Sequence, residues 1–229
     1  MKELSSWAFL GVVVTLAAYQ AGLWLKNKTG KSFVNPIIIG CALVIAFLIL
    51  TGLPYSVYFD GSKYISYLLT PATVCLAIPL YEQLQALRKN ILAILAGVMA
   101  GVLTSMLCVL IIALIFGMTH SEYVTFLPKS VTTAIGLVLS EELGGIPSIT
   151  AALIIVTGVV GNISADLICR LFRIEDPVAK GIAIGTSSHV IGTSRALEIG
   201  EVTGAASSLS IVVSGLITVI AASVFSLIL

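Results

Sequence analysis

Apolar positions in this chain come in long unbroken runs. They show neither the three-to-four spacing of a surface helix nor the alternation of a half-buried strand. Residues 7–25, 33–50, 91–116, 146–165 and 202–229 contain no Asp, Glu, Lys or Arg. A helix needs about 20 mostly apolar residues to cross a bilayer, so each run predicts a spanning helix. Three less regular segments lie between them. Residues 64–81 hold Pro71 and Pro79, residues 127–140 hold Pro128, Lys129 and Ser130-Val-Thr-Thr133, and residues 181–194 hold three glycines among many hydroxyls. Proline inside a helix removes a hydrogen bond and clashes with the preceding turn. In lipid the freed backbone groups must find protein or a water-filled cavity. These three segments are therefore expected to be kinked, discontinuous or re-entrant.

Composition agrees with the pattern. Of 229 residues, 58% are hydrophobic and 10% charged, with a mean hydropathy of +1.11; soluble chains carry roughly 25% charged residues. The net charge of +1 gives no basis for binding nucleic acid. Lys2 beside Glu3, with no small-residue cleavage site after the first run, predicts a retained helix and not a removed leader. Cys41, Cys75, Cys108 and Cys169 have no paired spacing and are expected to be small buried hydrophobes, with no disulfide, metal or cofactor.

Shifting the sequence by about 115 residues lays Phe9–Thr15 over Phe126–Thr132, Thr70-Pro-Ala-Thr-Val74 and Glu82 over Thr186-Ser-Ser-His-Val190 and Glu198, and Gly101–Thr104 over Gly215–Thr218. The interrupted segments 64–81 and 181–194 then fall at matching positions, the pattern of a transporter site at a repeat interface. One membrane domain, 1–229, is expected, with halves 1–118 and 126–229. Lys26, Lys28 and Lys31 place the first loop in the cytoplasm, and Arg88, Lys89, Arg170, Arg173 and Lys180 favour the same side. A re-entrant 127–140 reconciles these, and inverted repeats are favoured over parallel ones.

His189 and Arg195 stand in the stretch Gly185-Thr-Ser-Ser-His-Val-Ile-Gly-Thr-Ser-Arg195. A charge at the bilayer centre costs about 2.5–3.5 kcal/mol, so such residues face a partner, a cavity or a pathway. Small polar neighbours suggest a site for a small hydrophilic solute. Structural readings stand beside this one. Lys129 is placed to snorkel to the interface, Arg195 to pair with Glu198 at i+3, and His189 to pack as a hydrogen-bonded core histidine. Gly97–Gly101 and Gly181–Gly185 fit close helix packing. No metal cluster, nucleotide loop or nucleophile–base arrangement is visible in the sequence, and an enzyme is not expected.

Several blocks together resemble the LrgB/CidB family across essentially the whole chain. They are Asn35-Pro36, Leu69-Thr-Pro-Ala72, Ile78-Pro-Leu-Tyr-Glu-Gln83, Leu127-Pro-Lys-Ser-Val-Thr-Thr133, Gly144-Gly-Ile-Pro147, Gly185-Thr-Ser-Ser-His189, Gly192-Thr-Ser-Arg195, Glu198, Gly204-Ala205 and Ser207-Ser208. The resemblance implies a multi-pass protein of the bacterial plasma (inner) membrane with an LrgA/CidA-like small membrane protein as partner. It implies two functional descriptions. One is a carrier of small monocarboxylates such as glycolate, glycerate or pyruvate, as in the related plastid glycolate/glycerate transporter. The other is an antiholin-like regulator of a holin-type pore that modulates murein hydrolase activity and autolysis without a substrate of its own.

For a carrier, the candidate cations are Lys129 and Arg195, since Arg grips a carboxylate bidentately. Ser130, Thr132, Thr133, Thr186, Ser187, Ser188 and Thr193 offer hydroxyls, His189 lies among them, and Pro71 and Thr73 belong to the matching segment of the first half. Half-helices starting after Pro128 or near Gly185 would point free N–H groups at an anion. His189 and Glu198, with Asp166, are candidates for proton coupling. Association with lipid follows from composition, and assembly into homo-oligomers is left open. The expectation is an all-α polytopic bundle with two related halves and discontinuous or re-entrant segments.

Overall fold

A computed structural model describes residues 9–29, 36–68, 71, 74–75 and 77–229. Among these, every regular element is helical: α1 (Leu10–Thr29), α2 (Pro36–Thr51), α3 (Tyr55–Ser66), α4 (Ala77–Glu82), α5 (Leu84–Lys89), α6 (Ile91–Phe116), α7 (His120–Phe126), α8 (Thr133–Glu142), α9 (Pro147–Leu171), α10 (Pro177–Ile199) and α11 (Glu201–Phe225). All five charge-free runs form helices. Among the described residues, α6, α9 and α11 are long and apolar enough to cross a membrane, and α2 is a shorter apolar helix. The protein is an all-α membrane protein. Its compact units are Met1–Cys75 and Leu76–Leu229.

In the first unit, α1 packs on α2 and α3 through its small residues Gly11, Ala18 and Gly22. A Cβ at Gly22 would sit 3.0 Å from Pro36 Cα, so that helix pair meets nearly backbone to backbone. Thr15 Oγ1 shares a 2.7 Å hydrogen bond with the Tyr58 hydroxyl, tying α1 to α3.

In the second unit α6 is apolar all round. Ile94, Val98, Val102, Met106, Val109 and Ala113 form its buried stripe, while Leu92, Leu103, Ile111 and Ile115 on other faces are exposed. An all-apolar helix with one face open suits lipid, not water. It ends where Gly117 takes a left-handed conformation (φ 61°), so that Met118 N–H reaches the Ala113 carbonyl at 2.9 Å. Next, α7 starts on a capping box, Thr119 and Glu122 each accepting from the other's backbone N–H. Those two hydrogen bonds from Thr119 hold the Glu122 carboxyl below its ordinary pKa.

The expected interruption at 127–140 is present. After α7 the chain turns through Leu127–Ser130, with Lys129 at the tight point, and restarts as α8 after Thr132 in extended conformation. A buried hydroxyl cluster clamps this hairpin. Thr150 Oγ1 lies 2.7 Å from Ser140 Oγ and 3.0 Å from the Thr125 carbonyl, and Thr125 Oγ1 accepts from Ile146 N–H at 2.8 Å.

The interruption at 181–194 is also present, as a break inside α10. His189 has φ 42° and ψ −139°, outside helical space, with helix on either side. Gly181 and Gly185 lie directly against α11, where a Cβ at Gly185 would come within 2.9 Å of Ser207 Cα. The Gly-x-x-x-Gly reading as close packing therefore holds. The third irregular segment, 64–81, is divided between the end of α3, α4 and residues outside the described set. Cysteine burial is corrected. Cys169 is buried, but Cys41, Cys75 and Cys108 are exposed on the isolated chain, because apolar surface that faces lipid or a cavity need not be covered by protein.

Candidate functional site

Four elements of the second unit enclose a cavity of about 630 Å³. One wall comes from α6 through Gly97, Gly101, Thr104, Ser105 and Cys108, spaced to fall on one helical face. A second comes from α9 through Thr157, Val160, Gly161, Ser164 and Ile168. The first half of α10 supplies Ile182, Ala183, Thr186, Ser187 and Ser188, and the turn before α8 supplies Lys129 and Ser130. Glycines set the wall spacing: a Cβ at Gly161 would overlap Ser188 Oγ, and one at Gly101 would lie 2.8 Å from the Thr186 methyl.

Lys129 supplies the charge. Its Nζ donates to Ser105 Oγ at 2.9 Å and to Ser130 Oγ at 3.2 Å. An ammonium has three donors, so two neutral hydroxyls leave one donor and the whole charge uncompensated. No carboxylate lies among the lining residues, and Lys129 makes no ion pair among the described residues. On α10, Ser187 Oγ donates to the Ala183 carbonyl at 2.7 Å and lies 2.9 Å from Ser188 Oγ. Thr186 Oγ1 is buried without a hydrogen-bond partner; leaving such a group unmade costs about 1–3 kcal/mol.

Lys129, Ser130, Thr186, Ser187 and Ser188 are thus gathered at one cavity, and other expected residues lie elsewhere. Arg195 pairs with Asp166 on α9 and with Glu198 one turn on, away from the cavity lining. Asn162 Nδ2 reinforces that junction, donating to the Ile191 carbonyl at 2.7 Å. His189 is buried just past Ser188, with Nε2 2.9 Å from the Ile154 carbonyl and its ring against Gly158. Thr193 donates to the His189 carbonyl at 2.9 Å or pairs with Ser207 Oγ at 2.7 Å, an internal brace between α10 and α11. Thr132 and Thr133 begin α8 without a side-chain cap and are not among the lining residues. Pro71 is exposed in the first unit, and Thr73 lies outside the described residues.

The sequence reading did not include Thr104, Ser105, Thr157 or Ser164. A signal existed: Gly97, Gly101, Thr104, Ser105 and Cys108 form a small and polar stripe on an otherwise large-residue helix, and Thr157, Gly161 and Ser164 repeat that pattern on α9.

The LrgB-like family model matches residues 15–228. This chain belongs to the LrgB-like family. Its relatives include the antiholin-like protein LrgB of Bacillus subtilis (strain 168), 38% identical over 218 residues, covering 95% of this chain and 94% of that protein. The antiholin-like proteins LrgB of Bacillus mycoides (strain KBAB4) and Bacillus cereus (strain B4264) are each 37% identical, covering 95% of both chains. No solved structure matches. The family match spans α6, the Lys129 turn, α9 and α10, so every wall of the cavity lies within the LrgB-like region.

Proposed function

We propose that this LrgB-like chain is a multi-pass transporter of the bacterial plasma (inner) membrane that carries small monocarboxylates of the glycolate, glycerate or pyruvate type. It acts with an LrgA/CidA-like small membrane protein, and control of murein hydrolase activity and autolysis follows from that transport. The supporting observation is Lys129: an ammonium without a carboxylate partner, at a cavity lined by serine and threonine hydroxyls. A desolvated cation is costly without a counter-charge, and a bound carboxylate supplies one. The cavity volume of about 630 Å³ falls within the range usual for small-molecule sites. In this proposal Lys129 binds the carboxylate, and Ser105, Ser130, Thr186, Ser187 and Ser188 supply the polar lining. Arg195 and Thr193 fix α10 against α9 and α11. Proton coupling through His189, next to the cavity-lining Ser188, or through Glu198 belongs to the same proposal; equal dependence on a pH gradient in wild type and His189→Ala would remove His189 from that role.

Uptake of isotope-labelled glycolate or pyruvate into liposomes, with and without the partner subunit, tests the proposal. Saturable uptake that Lys129→Gln abolishes, at unchanged melting midpoint, supports a carrier. The second reading is an antiholin-like regulator without its own substrate, favoured by the names of the Bacillus relatives. It predicts no saturable uptake, or a leak indifferent to solute size.

A further inference from the structure

Thr186 enters the cavity with its hydrogen bonding incomplete. A hydroxyl in a helix commonly bonds back to the carbonyl one turn earlier, as Ser187 does to Ala183 and Ser208 does to Gly204. Thr186 does not, and its buried Oγ1 has no protein partner. Its γ-methyl packs instead against the bare Cα of Gly101. Valine would fill the same branched volume without an unpaired donor, so packing alone gives the hydroxyl no role. Because Gly101 carries no side chain, rotation about χ1 can turn that hydroxyl toward the cavity in place of the methyl. The cavity then offers two different handles, the Lys129 ammonium and a neutral hydroxyl that both donates and accepts.

We propose that Thr186 is the specificity-determining residue of this cavity. Its hydroxyl bonds a second polar group on the carboxylate held by Lys129, so hydroxy- and oxo-carboxylates are taken in preference to plain alkanoates of the same length. This rests on the carboxylate reading given above. A site built to hydrogen-bond a substrate hydroxyl rejects the analogue that lacks it, because its own polar group is then left unpaired.

The test reconstitutes the full chain with its partner subunit in liposomes and measures labelled glycolate uptake against unlabelled glycolate or acetate, then lactate or propionate. Wild type is expected to favour the hydroxy acid by roughly tenfold, the factor that about 1.4 kcal/mol gives. Thr186→Val is expected to bring that ratio to within about twofold while acetate competes as before, and Thr186→Ser, which keeps the hydroxyl, to preserve it. Melting midpoints of both variants, read in detergent, establish that they are folded. An unchanged ratio in Thr186→Val, or equal weakening toward both acids, overturns the role of Thr186. Uptake that needs Lys129 but ignores Thr186→Val overturns this inference alone. Uptake indifferent to Lys129→Gln overturns the carboxylate reading and the inference with it.

Discussion

Gly185→Ala, set against Gly97→Ala, tests how α10 is held. Both glycines belong to Gly-x-x-x-Gly patterns, and both substitutions improve helix propensity by up to about 1 kcal/mol. Their surroundings differ. A Cβ at Gly185 would lie 2.9 Å from Ser207 Cα and closer still to the Ser207 carbonyl oxygen, both backbone atoms that cannot rotate away. Moving that contact from 2.9 Å to the 3.4 Å where ordinary van der Waals contact begins requires α10 and α11 to part by half an ångström. A gap of that size already forfeits about a quarter of the attraction between facing atoms. Overpacking costs about 1–3 kcal/mol, and immobile backbone puts this case at the upper end. Subtracting the propensity gain leaves a net loss of about 2 kcal/mol, or roughly 4–8 °C in melting midpoint for a chain of this size. At Gly97 the nearest atom is the Ile182 γ-methyl at 3.2 Å, on a side chain that can yield. Gly97→Ala should therefore melt within about 2 °C of wild type or slightly above it. Fluorescence-detected size-exclusion melting in detergent reads both. A Gly185→Ala midpoint within 2 °C of wild type, on the order of the error allowed here, or below which Gly97→Ala falls, would refute the backbone-contact account.

Arg195→Ala should destabilise the protein by about 3 kcal/mol or less, since the pair is only partly buried, and Asp166→Asn added to it should recover part of the loss; a double-mutant cycle on melting midpoints checks the coupling, and additive losses would exclude it. His189→Gly should be more stable than His189→Ala by about 1–2 kcal/mol, because both lose the bond to Ile154 but only glycine adopts φ 42° without strain; equal midpoints would argue against a strained break. Glu122, its pKa lowered by Thr119, contributes stability that is present above the unfolded carboxyl value and lost as pH falls through the lower folded one. Wild type should therefore lose more midpoint than Thr119→Ala on acidification below about pH 4.3, and parallel pH curves would show that the capping box does not titrate with folding.

The sequence by itself determined the medium and the class of fold. Unbroken apolar runs leave no option but helices in lipid, because only internally bonded backbone is tolerated there. It also located two breaks. Pro128 lacks an N–H, and the Gly- and hydroxyl-rich stretch around His189 supplies alternative partners for backbone groups, so both interruptions are local chemistry readable from local residues. Tertiary structure alone decided which polar residues meet. Lys129 and Arg195 look equivalent along the chain, yet Arg195 finds Asp166 across the α9–α10 contact while Lys129 finds only hydroxyls. Ser105 and Ser164 carry no distinctive motif and join the cavity because α6 and α9 turn those faces toward α10. Pairing of a charge is a property of neighbours distant in sequence, and that is where the cavity separates from the scaffold that holds it.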